Sequence, residues 1–127
     1  MKPYWEHPVL RQAVLDESWI ATVIATPGSL TVMIDAALPE NSPLWREPLP
    51  GEVGSWRKAV LRFLQVEELR WIDPGTPQAE NDGSLTYNTF HVVEFDGNRY
   101  HLDSDAGEIH LTVEDVAIEF EPEASGS

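Results

Sequence analysis

The segment that sets the fold spans residues 18–37 and reads SWIATVIATPGSLTVMIDAA. In residues 30–37 an aliphatic side chain occupies every second position, which is the pattern of a strand with one buried face. Residues 20–26 are rich in β-branched side chains but do not alternate, which is consistent with a strand covered on both faces. Pro27 and Gly28 interrupt both halves, so the segment predicts a β-hairpin. Its predicted buried face is Leu30, Val32 and Ile34.

Short apolar segments with period two continue to residue 120. With the two arms of the hairpin they predict eight hairpin-linked strands. Asp96-Gly97 predicts a two-residue turn, with Glu94 opposite Arg99 and His91 inward beside Leu102. Since parallel strands need crossover helices, we predict a mainly β fold, an antiparallel β-sandwich or small barrel. The six further strands are predicted at residues 57–64, 69–72, 85–95, 98–103, 109–113 and 116–120.

The N-terminal segment has a different pattern. Pro8 suits the first turn of a helix, and apolar residues follow at helical spacing up to Leu15, so one short helix is predicted there. At 127 residues the chain is most simply one domain, which we assign to residues 1–120. Residues 121–127 are polar and predict a disordered acidic tail.

The charge balance excludes several classes of function. The chain has 22 acidic and 8 basic residues, a formal net charge of −14. Such a charge repels phosphates and anionic lipids, so we expect neither nucleic acid nor a membrane as partner. The chain has no cysteine and no apolar leader segment, and a cytoplasmic bacterial-type protein is the simplest expectation. No motif of nucleophilic or phosphate-binding chemistry occurs, so we expect a non-enzymatic protein without a cofactor.

The long connection at residues 38–55 is the first candidate binding region. It contains four prolines and two glycines, and loops of this length are often functional. Tryptophan and arginine are favoured as anchors of protein interfaces. An alternative is that the tryptophans fold back over an open end of the sheet. The candidate partner-binding residues are Trp45, Arg46, Trp56 and Arg57.

The second candidate is a metal site in a later hairpin. If Asp105 and Ala106 form the turn, His101 and His110 face each other and point away from the apolar side of the strands. Two imidazoles with Asp103 as a further ligand suit zinc or a similar ion. The alternative is a polar cross-strand pair on a solvent-exposed face.

The chain also resembles a group of known proteins. A His7-Pro8 segment precedes the hairpin, VLRFLQVEEL follows at residues 60–69, and a turn Asp105-Ala106-Gly107-Glu108 precedes the last strand. This order is similar to that of small bacterial β-rich domains, some of which resemble immunity proteins of polymorphic toxin systems. The resemblance implies an inhibitor whose acidic surface binds a basic protein partner, and it supplies no catalytic residues.

Two further expectations follow from the fold class. An antiparallel barrel can hold a small ligand or a metal, which is the alternative to a protein-interaction module. An open sheet has edges to cover, so a homodimer through an edge strand is also expected.

Overall fold

A computed structural model of the chain describes residues 1–45, 47, 50, 55–79 and 85–122. In this part the protein is mainly β, which confirms the predicted class. Its helical turns are two short 3-10 helices, Tyr4–Glu6 and Leu10–Gln12. The strands are β1 Lys2–Pro3, β2 Val14–Thr26, β3 Ser29–Ala37, β4 Trp56–Ile72, β5 Gln78–Ala79, β6 Leu85–Thr86, β7 Phe90–Asp96, β8 Arg99–Ser104 and β9 Gly107–Phe120.

Seven of these strands form one antiparallel sheet in the order β1-β7-β8-β9-β4-β3-β2, while β5 and β6 pair separately. The sheet curls so that β2 returns to the start of β7. Ile20 donates its N–H to the Asn88 carbonyl at 2.8 Å and accepts from the Tyr87 N–H at 2.9 Å, and one bridge joins Trp19 to Thr89. Among the described residues this contact is too short to close a barrel, so the fold is a strongly curled sheet.

The concave side of the sheet holds the core. Leu30, Val32 and Ile34 are at most 2% exposed, which confirms the predicted buried face of β3. The same side of β4, β8 and β9 supplies aliphatic and aromatic partners because alternate residues of a strand face the same way. Phe63 and Tyr100 meet edge-on there, with ring centroids 5.3 Å apart.

The first arm of the hairpin is not covered on both faces, and the expectation of double burial is wrong. Ile24 is 45% exposed. The alternation is lost because β2 pairs with β3 through register shifts between Val14 and Trp19 and between Ile20 and Thr22. Each shift moves the following side chains to the other face.

Ser18 lies at the first of these shifts and is fully buried. Its hydroxyl donates to the Val14 carbonyl at 2.8 Å and accepts from the Ala37 N–H at 3.0 Å. The side chain thus provides a hydrogen-bond partner for one backbone carbonyl and one buried backbone N–H at the irregular pairing.

Two predicted strand breaks are bends within continuous strands. Residues 65–68, which separate the predicted strands 57–64 and 69–72, form a bulge in β4, with Gln65 at a φ of 54° and a register shift between Val66 and Glu68. Opposite it, two successive exposed residues of β9, Glu114 and Asp115, mark the other predicted break. The two strands bend together here and remain paired on either side.

The predicted turn at Asp96-Gly97 is displaced by one residue along the chain. Asp96 pairs with Arg99, so Gly97 and Asn98 are the central residues. Gly97 has a φ of +60°, as a glycine in the first central position of a type II′ turn requires. The partner of each β7 residue therefore moves by two positions, and Glu94 faces His101 instead of Arg99.

Two predictions near the N-terminus and in β7 are also wrong. The predicted N-terminal helix is replaced by the 3-10 turns, because Ala13 is already extended and leads into β2. His91 is exposed, not inward, because it lies at a register shift between Phe90 and Val92. The predicted disordered tail is residues 121–127. Its first residue, Glu121, donates its N–H to the Lys58 carbonyl at 2.8 Å, and residues 123–127 lie outside the described residues.

Candidate metal centre

The β8–β9 hairpin places two histidines side by side on the convex face of the sheet. His101 pairs with His110 across the hairpin, which confirms the register predicted from a turn at Asp105-Ala106. The two imidazole rings are stacked, with centroids 4.5 Å apart and planes 10° from parallel. Their strand neighbours Tyr100 and Leu111 point into the core and are at most 5% exposed, so the backbone beneath the rings is fixed by packing.

Glu108 brings the two rings to a common point. Its Oε1 lies 3.1 Å from His101 Nε2 and 2.8 Å from His110 Nε2. The candidate ligand atoms of these three residues all lie within 4.8 Å of one another. Asp103, the predicted third ligand, is the cross-strand neighbour of Glu108 but is not part of this cluster. The structure therefore gathers two imidazoles and a glutamate.

Glu94 holds the outer side of the first ring. Its Oε1 accepts from His101 Nδ1 at 2.9 Å, and it reaches that position because β7 pairs it directly with His101. A carboxylate on one ring nitrogen fixes the tautomer and directs the lone pair of the other nitrogen. Here the other nitrogen, Nε2, points at Glu108.

The neighbouring imidazoles shift the pKa of Glu108. Hydrogen bonding to His110 is the largest cause that lowers the pKa of Glu108 below its ordinary value. Desolvation opposes it, while the bond to His101 and the charges of both rings add to the lowering. His101 has a carboxylate on each ring nitrogen, and an imidazole can donate from both nitrogens in its protonated form alone. The geometry therefore suits a cation between Glu94 and Glu108, whether that is a proton or a metal ion.

The turn between β8 and β9 is anchored by the end of β4 and the residues that follow it. Trp71 Nε1 donates to the Ala106 carbonyl at 2.8 Å, and the Gly75 N–H donates to the same oxygen at 3.0 Å. Gly107 has a φ of +119°, and a Cβ there would lie 2.7 Å from Trp71 Nε1. The turn of the hairpin that carries the site is thus held against the end of β4 by hydrogen bonds and close packing.

Three of the four predicted partner-binding residues are described by the structure, and they lie at the long connection and the start of β4. Trp45 is half-buried in the loop, and its N–H donates to the Ser42 carbonyl at 3.1 Å. Trp56 and Arg57 open β4 and leave the sheet from opposite faces, since successive strand residues alternate. Arg46 lies outside the described residues. Their role in binding stays a prediction.

A second feature of the convex face is apolar. Trp19, Met33 and Leu85 are between 41% and 57% exposed and line a hollow of about 490 Å³. Asp35, Lys58 and Glu121 also line it. Exposed apolar side chains that are grouped in this way mark interaction surfaces more often than scattered ones do.

Sequence reasoning missed Glu108 and Glu94. The signal for Glu108 was present, because it stands two residues before His110 and so shares its face. Asp103 stands in the same relation to His101, and the pattern alone does not choose between them. Glu94 was missed because the turn at residue 97 was placed one residue too early.

Comparison of the chain with family models, curated proteins and solved structures found no match. Within the described residues, none of the helical turns has the length and apolar character needed to span a bilayer.

Proposed function

We propose that the protein binds a divalent transition metal through His101, Glu108 and His110. One observation carries the proposal: the Nε2 atoms of two stacked imidazoles lie 3.1 and 2.8 Å from the same carboxylate oxygen. Two imidazoles and one carboxylate form a donor set that suits zinc, nickel, cobalt or copper. Calcium and magnesium prefer oxygen ligands and fit it less well.

The distances between the ligand atoms support this assignment. Ligands about 2.0–2.2 Å from zinc, at angles between 90 and 110°, lie about 3.0–3.4 Å from one another. The observed N–O separations of 3.1 and 2.8 Å are close to this range. A bound ion therefore requires changes of only a few tenths of an ångström between the carboxylate oxygen and each ring nitrogen. The two rings, whose ligand atoms lie within 4.8 Å of one another, must in addition turn toward the ion.

The surroundings also favour a metal over an ordinary polar pair. Glu94 occupies the position of the carboxylate that orients metal-bound histidines in other proteins. The ligands and this partner come from three adjacent strands, so a bound ion would link β7, β8 and β9. Three protein ligands leave at least one coordination position open.

The competing explanation is a protonated histidine held between two carboxylates. The two explanations differ in what the pure protein does with added metal. We expect calorimetric titration of the metal-free protein with Zn²⁺ at pH 7.5 to give one site. His101→Ala, Glu108→Ala and His110→Ala should each weaken it by about tenfold or more.

The matched control is His91→Ala, which removes an exposed histidine of the neighbouring strand β7. Its Nε2 lies 3.4 Å from Asp105 Oδ1. It should leave Zn²⁺ affinity unchanged. A wild-type protein that does not bind Zn²⁺, or a site as sensitive to His91→Ala as to His110→Ala, would refute the proposal.

A second candidate function is binding of a basic protein partner, as an immunity-type inhibitor in the bacterial cytoplasm would do. The observation that favours it is the hollow lined by Trp19, Met33 and Leu85 in a chain with a net charge of −14. Buried aromatic anchors would supply affinity, and the acidic surroundings would speed encounter with a cationic protein.

This candidate is tested by association that depends on both salt and the hollow. A partner captured at low salt should be lost at high salt and should be lost with Trp19→Ala. Trp5→Ala is the control, because Trp5 is 62% exposed and does not line this hollow. Equal capture by both variants would contradict the assignment. Self-association through β2, detected by ultracentrifugation, would identify a homodimer instead.

A further inference from the structure

The terminal strand β2 leaves one edge of the sheet uncovered. It is the last strand of the sheet, next to β3. The backbone of Ile20 is bonded to residues 87 and 88, and the hairpin turn follows Thr26. Between these two points lies an edge with the sequence ATVIAT at residues 21–26. Among the described residues, no strand pairs with the outer side of this segment.

The side chains of this edge do not prevent pairing with another strand. Residues 21–26 include no charged residue and no proline, and Ile24 is 45% exposed. The opposite end of the sheet is β1, which consists of Lys2 and Pro3, and both residue types hinder the addition of a further strand. An uncharged, exposed edge such as that of β2 is instead a template for another strand.

The hairpin turn determines which backbone groups of the edge are free. Thr26 and Ser29 flank the two-residue turn and face each other, so they form a hydrogen-bonded pair. The register stays constant back to Thr22, and such pairs recur at every second residue of an antiparallel ladder. The N–H and C=O groups of Val23 and Ala25 therefore point away from β3, toward the open edge.

We infer that this edge pairs antiparallel with the same edge of a second copy of the chain, which gives a twofold-symmetric dimer. Val23 of each copy lies opposite Ala25 of the other, so every outward N–H and C=O group of these residues finds a partner. A shift in one direction brings Pro27, which has no N–H, opposite Val23. A shift in the other direction uses Ala21, where the register with β3 is broken.

In this register Ile24 lies on the twofold axis. Opposite residues that share no hydrogen bond bring their side chains closest together, so the two Ile24 side chains cover each other. Thr22 of one copy faces Thr26 of the other on the same side of the sheet. The pairing buries an exposed aliphatic side chain, and no like charges meet across the paired residues.

The contact is small and joins two acidic molecules. Interfaces below about 1,200 Å² are typical of weak association, and we expect a dissociation constant of about 10–100 μM. Each copy has a formal net charge of −14, and salt screens the repulsion between the copies. Self-association should therefore strengthen between about 50 and 500 mM NaCl, whereas binding of a basic partner would weaken.

The first experiment is sedimentation velocity of the full chain in EDTA, which makes the result independent of the proposed metal site. We expect a monomer–dimer equilibrium. Ile24→Lys should weaken it by about tenfold or more, because two like charges then lie opposite each other. Glu17→Gln makes the same change in net charge at an exposed residue of β2 outside the edge. This control, and Trp19→Ala in the hollow, should leave the equilibrium unchanged.

The second experiment tests the register with single cysteines, since the chain has none of its own. Ile24→Cys should form a disulfide-linked dimer on mild oxidation, because directly opposite Cβ atoms lie about 4.5–5.5 Å apart, close to the range of a disulfide. Thr22→Cys should not, since its two copies lie about 14 Å apart along the strands. Mixed with Thr26→Cys protein, it should cross-link.

Three results would overturn the inference. One is a wild type that stays monomeric at about 500 μM, well above the expected dissociation constant. Another is self-association that Ile24→Lys leaves intact, and its loss in Trp19→Ala would then place the contact at the hollow. The third is equal cross-linking of Ile24→Cys and Thr22→Cys, which the twofold register does not allow.

Discussion

The inner faces of the β2–β3 and β8–β9 hairpins both pack into the core, whereas their outer faces carry different types of residue. In both, the inner face contributes apolar residues to the common core, among them Ile20 and Val32 in the first and Tyr100 and Leu111 in the second. On the convex side the first hairpin carries Trp19 and Met33, whereas the second carries two histidines and Glu108. The inner faces therefore account for the fold, and the outer faces carry the candidate functions.

Their turns differ as well. Gly28 and Gly107 both have positive φ, but a Cβ on Gly28 would meet nothing within 4 Å, whereas one on Gly107 would meet three atoms closer than 3.0 Å. The first turn projects into solvent, and the second is locked against Trp71 and the backbone that follows it. Rigid support is what a site with short ligand separations needs.

The largest expected effect tests this difference directly. Gly107→Ala should lower the free energy of unfolding by about 3 kcal/mol or more, because backbone strain and overpacking add. Gly28→Ala should cost about 1–2 kcal/mol, the strain alone. Urea denaturation of both variants measures the comparison. Equal losses would mean that the second turn is no more constrained than the first.

Ser18 tests what holds the first hairpin in place. Ser18→Ala should cost about 1–3 kcal/mol, because it removes the hydroxyl that accepts from the buried Ala37 N–H and donates to the Val14 carbonyl. Ser29→Ala is the matched control, since its hydroxyl bonds Thr26 at 2.6 Å in an exposed turn. We expect that control to stay within about 0.5 kcal/mol of wild type by urea denaturation. A Ser18→Ala variant as stable as the control would contradict this account of the register shift.

Glu94 tests whether the second hairpin's outer face is organised around a metal. Glu94→Gln should weaken Zn²⁺ by about 10–100-fold, as loss of an orienting carboxylate does elsewhere. The stability of the metal-free protein supplies a separate readout, which a purely structural ion pair would also change. A large loss of stability with unchanged Zn²⁺ affinity would show that Glu94 supports the fold and not the site.

The smallest expected effect concerns the attachment of β8 to the N-terminal segment. His7 hydrogen-bonds the Tyr100 hydroxyl through Nε2 at 3.0 Å and accepts the Val9 N–H on Nδ1 at 3.1 Å. Burial lowers the pKa of His7 below its ordinary value. The unfolded chain therefore binds the proton more readily, so stability should fall as pH drops below about 6.5.

His7→Asn keeps an acceptor for the Val9 N–H but does not titrate in this range. It should cost about 1 kcal/mol at pH 7.5 through the lost Tyr100 contact and should show a weaker decline between pH 7 and 5. Thermal unfolding across this range measures both. An unchanged pH dependence in His7→Asn would remove His7 as its cause.

The parts of the fold that follow from simple alternation were predictable. Leu30, Val32 and Ile34 needed nothing beyond period two, and the pairing of His101 with His110 needed nothing beyond one turn position. The sequence predicts a strand break at Gln65 where the structure has a bulge, because a bulge and a turn interrupt alternation in the same way. A bulge differs from a turn in that the strand continues to pair with its neighbours on both sides, and the local sequence does not show which strands those neighbours are.

The site was predictable in part for the same reason. Its histidines lie on one hairpin, so a single correct turn brought them together. Glu94 comes from a third strand, so predicting its position also requires the β7–β8 turn to be placed correctly. An error of one residue in that turn shifts the predicted partner of Glu94 by two residues, from His101 to Arg99. A site built from several strands is harder to predict, because each additional strand adds a turn whose position must be correct.

The central claim is that the outer face of the β8–β9 hairpin holds a metal ion. Its most direct test is anomalous diffraction at the zinc absorption edge from crystals of the protein grown with one equivalent of Zn²⁺. The account predicts a peak about 2 Å from His101 Nε2, His110 Nε2 and a Glu108 oxygen. A crystal with no peak at these three atoms, or with its zinc at His91 and Asp105 instead, would contradict it.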